Sequence, residues 1–160
     1  MFNRVKIFIV SAALVASFVD EGSAQAPKLD EAACVSLAAT IASSTGAQFD
    51  RWSPSRTSIF MRHPATKSFR IGCDSRILAI DVDKPIPGSD FYLLLDRTSV
   101  IMFGARSGQG RALAESCYKT ALSDKELLMA EVGDRNLSID CNVVLRGEGG
   151  VFMGVSARTQ

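Results

Sequence analysis

The stretch Asn136-Leu137-Ser138-Ile139-Asp140-Cys141-Asn142-Val143-Val144-Leu145 decides the fold. Leu137, Ile139, Cys141, Val143 and Leu145 alternate with Asn136, Ser138, Asp140, Asn142 and Val144, so one face is apolar and the other mostly polar. That period of two predicts a strand with one buried face, and the cysteine lies on it. Ser68-Phe69-Arg70-Ile71-Gly72-Cys73 repeats the pattern, with Phe69, Ile71 and Cys73 inward. A domain with sheet faces of this kind must cover each apolar side with helices or a second sheet.

Working outward, a helix precedes each strand region. Leu29 to Ser44 steps through Leu29, Ala33, Leu37 and Ile41, a four-residue spacing that makes a helical stripe. Asp30 and Glu31 suit its first turn, and Gly46 follows its end. Gly108 to Ser123 predicts a second helix, with Leu113, Cys117 and Ala121 beside Ala114, Tyr118 and Leu122, and Ser107 as its cap. Between them, Ile77 to Asp83 alternates as a strand and Pro85-Ile86-Pro87-Gly88 breaks the chain. Phe91 to Leu95 and Val100 to Phe103 are apolar runs around Asp96-Arg97-Thr98, which predicts a tight hairpin. Val151 to Ala157 adds a final strand, and Gly46 to Thr57 an extra strand or loop.

The result is an α+β domain: a mostly antiparallel sheet with two helices on one face and about eight strands, spanning residues 27–160. Ile59-Phe60-Met61 lies 12 residues before Cys73 and Leu127-Leu128-Met129 lies 12 before Cys141. This suggests two related helix-plus-hairpin halves, 27–90 and 91–160. If each half staples its own helix to its own strand, the four cysteines pair as Cys34–Cys73 and Cys117–Cys141.

The 160 residues are 47% hydrophobic and 22% charged, with 18 basic side chains against 17 acidic. That balance excludes a disordered chain and gives no global reason for a polyanionic partner. Residues 1–26 predict a cleaved secretory signal, with Arg4 and Lys6 first, an apolar stretch from Ile7 to Val19, and small residues at Ser23-Ala24-Gln25-Ala26. The apolar stretch spans roughly 20 Å, short of the ~30 Å core of a bilayer. The expectation is an exported chain, periplasmic or secreted, with no membrane span after cleavage and with its cysteines paired.

Motifs for chemistry are few. His63 is the only histidine, so no multi-histidine metal site is expected, and Pro64 and Thr66 place it at a hairpin tip. No cofactor motif is present: Gly104-Ala105-Arg106-Ser107-Gly108-Gln109-Gly110-Arg111 follows an expected strand and opens a helix, a setting that can hold an anion, but it lacks the phosphate-loop spacing and its lysine. Asp74, Asp81 and Asp83 are carboxylates on or near strands, available for acid–base work or simply solvated.

The strongest local bias runs from Arg51 to Arg76, with six bases against the single acid Asp74 and with Trp52, Phe60 and Phe69 interleaved. Such charges also guard an edge strand against aggregation. Read as a site, Arg51, Trp52, Arg56, Arg62 and Arg70 form a docking face for an acidic protein or an anionic envelope component; export argues against nucleic acid. The expected function is therefore that of a small disulfide-stabilised binding protein: an inhibitor, immunity factor or envelope accessory factor. The alternative is a small secreted hydrolase using His63 or the Asp74/Asp81/Asp83 group.

Overall fold

Asp30 starts the first helix, α1 (Glu31–Thr45), by accepting the Ala33 N–H at 2.7 Å, and Gly46 ends it in the left-handed region at φ 79°. Its buried stripe is Cys34, Ala38 and Ile41, turned by one residue from the expected Leu29–Ala33–Leu37–Ile41 line. In so alanine-rich a helix apolar spacing discriminates poorly, and Cys34, bonded to Cys73, faces inward instead. The computed structural model describes residues 28–158 apart from 125 and 148, so the segment expected to be a signal lies outside the described residues.

Four strands follow as an antiparallel meander: β1 (Gln48–Trp52), β2 (Ser58–Arg62), β3 (Ser68–Gly72) and β4 (Leu78–Val82). Then come two helices, α2 (Ser89–Phe103) and α3 (Gln109–Ser123), and a second meander of β5 (Met129–Gly133), β6 (Leu137–Val144) and β7 (Gly150–Ala157). The meanders join through β4 and β7 into one seven-stranded sheet of order β1-β2-β3-β4-β7-β6-β5, antiparallel throughout. The helices pack on one face, α3 against β5 and β6, α2 against both α1 and α3.

The α+β class and the antiparallel sheet are as expected, but the helices number three and the strands seven among the described residues. The difference is the segment read as a hairpin around Asp96-Arg97-Thr98, which is the middle of α2. Short apolar runs do not distinguish a buried strand from a helix buried on several sides. Here Phe91, Leu94, Leu95, Thr98 and Met102 recur at helical spacing and are all buried. Of the polar residues between the runs, Asp96, Thr98 and Ser99 are buried and only Arg97 is exposed.

Asp96 also replaces the expected cap of α3. The N-cap position is Gly108, not Ser107, and it offers no side chain. Asp96 reaches across from α2 and accepts the Gly108 N–H at 2.9 Å and the Arg111 N–H at 3.1 Å. Gly110 makes this approach close: a β-carbon there would lie 3.1 Å from the Asp96 Cα and the Ser99 side chain.

Each disulfide ties a helix to its own meander, as expected. Cys34–Cys73 joins the start of α1 to the residue after β3, and Cys117–Cys141 joins the middle of α3 to the middle of β6. The shared 12-residue offset is not a structural equivalence, however. Met61 is buried under the helices, whereas Met129 is 55% exposed, and Leu127 and Leu128 precede β5. The turn between β5 and β6 is built by Asp134, which accepts the N–H groups of Asn136 and Leu137; those bonds hold its carboxyl below the usual range.

Candidate binding face

Because all three helices lie on one side, the other side of the sheet is uncovered within the described chain. Phe60 lies between the buried Ile59 and Met61, so it points to the open face, and the strand register carries that face across the sheet. Arg51 pairs with Phe60, Phe60 with Arg70, Arg70 with Ala79, Ala79 with Gly154, Gly154 with Asp140 and Asp140 with Glu131. This one row crosses all seven strands.

The row begins basic. Arg51 lays its guanidinium over the Phe60 ring, 4.5 Å from the centroid, a cation–π contact that holds the charge above β2. Asp50 pairs with both Arg51 and Arg62, the latter at 3.0 Å. Arg70 is exposed and has no ion-pair partner among the described residues. Strands β1 to β3 thus present three guanidiniums against one carboxylate.

A β-bulge sets which β1 side chains reach this face. The register shifts between Phe49 and Arg51, so Phe49 pairs with the inward Met61 while Arg51 pairs with the outward Phe60. Trp52 then pairs with Ile59 and lies on the helix side, half-buried against the core rather than on the binding face. Arg56 stacks on Trp52 at 5.1 Å and pairs with Glu31 of α1. Of the five expected binding residues, the structure brings together Arg51, Arg62 and Arg70. It places Trp52 and Arg56 in a clasp between the β1–β2 turn and α1.

The remaining candidates disperse. His63 sits in the β2–β3 connection, where its Nδ1 accepts the Ala65 N–H at 3.1 Å, and it lines an open cleft of about 510 Å³ with Asp83, Lys84, Asp90 and Arg97. Asp81 faces the open side of β4, paired with Ser68 and Phe152, and with Asp83, Lys67 and Asn142 it borders a shallow groove, while Asp74 lies in the turn after β3. The Gly104–Arg111 segment does meet an anion, but it is the protein's own Asp96. Among the described residues no three histidine, cysteine or acidic side chains converge as a metal site would require.

Sequence reasoning missed the far end of the row. Asp140 and Glu131 are the only charged residues within β5, β6 and β7, and both face outward. No signal in the sequence places them beside the arginines, because β7 inserts between β4 and β6. Compared with family models, with curated proteins and with solved structures, the chain finds no match.

Proposed function

We propose that this chain is a non-enzymatic binding protein of an oxidising compartment outside the cytoplasm, the periplasm, to which residues 1–26 direct it. It acts there as an inhibitor, immunity factor or envelope accessory subunit. Its two disulfides fit such a compartment. No helix among the described residues is long and apolar enough to cross a membrane.

The observation that carries the reading is the trio Arg51, Arg62 and Arg70, exposed on an uncovered sheet face where Asp50 pairs with two of them and Asp81 on β4 is the next carboxylate. Guanidiniums in that setting take carboxylates or phosphates through paired N–H donors, so the partner is an acidic protein surface or an anionic envelope component. The test is Arg62→Glu with Arg70→Glu, measured as retention of the natural partner by the tagged protein in periplasmic extract. The double reversal is expected to abolish retention, and His63→Ala to leave it intact. Retention that survives the reversals, or is lost with His63→Ala, would replace this reading with one centred on the His63 cleft.

A further inference from the structure

The open face carries more than a basic patch: its charge is divided. Strands β1 to β3 hold Arg51, Arg62 and Arg70 with Asp50, β4 adds Asp81, and β5 to β7 hold only Asp140 and Glu131. Arg70 and Asp140 stand three strand spacings apart, about 14 Å, too far to pair within one chain. Between them the row has only Ala79 and Gly154. The Asp140 carboxylate leans over Gly154, so a β-carbon there would meet its oxygens at 2.5 and 2.7 Å. Among the described residues neither Arg70 nor Asp140 has an ion-pair partner.

We infer that this face pairs with the same face of a second copy, Arg70 and Arg51 of each seated on the carboxylates of the other. A two-fold axis between the two sheets, parallel to the strands at the β4–β7 junction, reverses the strand order of the partner while keeping each row over itself. Under that operation Arg70 lies over the partner's Asp140. The guanidinium of Arg51, held above Phe60, lies over the partner's Glu131. Ala79 and Gly154 meet at the centre, where their lack of bulk lets the sheets close to the ~10 Å spacing of stacked sheets. The self-complementary pattern is what a two-fold interface requires. A face roughly 30 Å by 17 Å buries on the order of 1,000 Å² in total, the lower end for a specific interface. The dimer is therefore a weak and reversible one. The inference stands apart from the anion-binding reading, because it needs Asp140 and Glu131 as well as the arginines.

Sedimentation equilibrium of the oxidised protein over a concentration series, at low and at high salt, tests it. The expected result is a monomer–dimer equilibrium that high salt weakens. Arg70→Glu and Asp140→Arg should each weaken the dimer by about tenfold or more, and the two together should restore it. Circular dichroism confirms that each variant is folded. A monomer at every concentration, a dimer indifferent to the single reversals, or a double variant no better than the singles would overturn the inference. The double variant also separates the two readings, since it regains the dimer while losing Arg70 as an anion contact.

Discussion

The two stapled helices are made in different ways. α1 carries its own start signal: Asp30 caps it from the preceding residue, and its disulfide leaves from its first turn. α3 begins on Gly108, borrows its cap from Asp96 on another helix, and is stapled at its middle. α1 can therefore be specified by neighbours in sequence, whereas the start of α3 exists only once α2 has packed beside it. That joint fixes α2 and α3 over the sheet and leaves the opposite face free.

The disulfides give the comparison its largest test. By loop closure alone, removing Cys34–Cys73 (separation 39) should cost about 4 kcal/mol and removing Cys117–Cys141 (separation 24) about 3.5 kcal/mol, read from urea unfolding of paired alanine variants. A clearly larger cost for the second pair would show that packing of α3 on β6, not loop length, sets its value. Next come the caps. Asp96→Ala leaves two backbone N–H groups without their acceptor and should cost about 2–4 kcal/mol. Asp30→Ala should cost about 1 kcal/mol. Equal costs would erase the distinction between a local and a borrowed cap.

A smaller effect marks the α2–α3 joint through pH. Burial, with help from Tyr118 and Glu115, pushes the Tyr92 phenol up to about 12. The unfolded chain ionises this group near its ordinary 10, so its contribution is complete below pH 10 and is lost as pH rises towards 12. The melting temperature should therefore fall across that window, and Tyr92→Phe should flatten the fall. An unchanged slope in the variant would show that Tyr92 is not held in a desolvated site.

These differences also explain what could be read in advance. The strands of β3 and β6 were legible because one face is buried and the other is not. The cysteine pairing followed because each disulfide ties a helix to its own meander. α2 was illegible for the opposite reason: packed against α1, α3 and the sheet, it keeps apolar residues around much of its circumference and buries Asp96 between them. At the binding face, the arginines showed as a basic stretch. The side on which each one lies depended on the bulge at Asp50, which turns Arg51 outward and Trp52 inward. The acidic half was hidden by topology, since Asp140 shares a face with Arg70 through the register Arg70–Ala79–Gly154–Asp140 across β3, β4, β7 and β6.

The central claim is that the uncovered sheet face is the surface this protein uses. Hydroxyl-radical footprinting of the tagged protein, in periplasmic extract and as a dilute pure sample, tests it most directly. Phe152 and Met129 are 42% and 55% exposed on this face and Phe60 lies under Arg51, so all three should be protected in the extract, with Trp52 and His63 unchanged. Protection confined to His63 and its cleft, or no protection of the three face residues, would contradict the account.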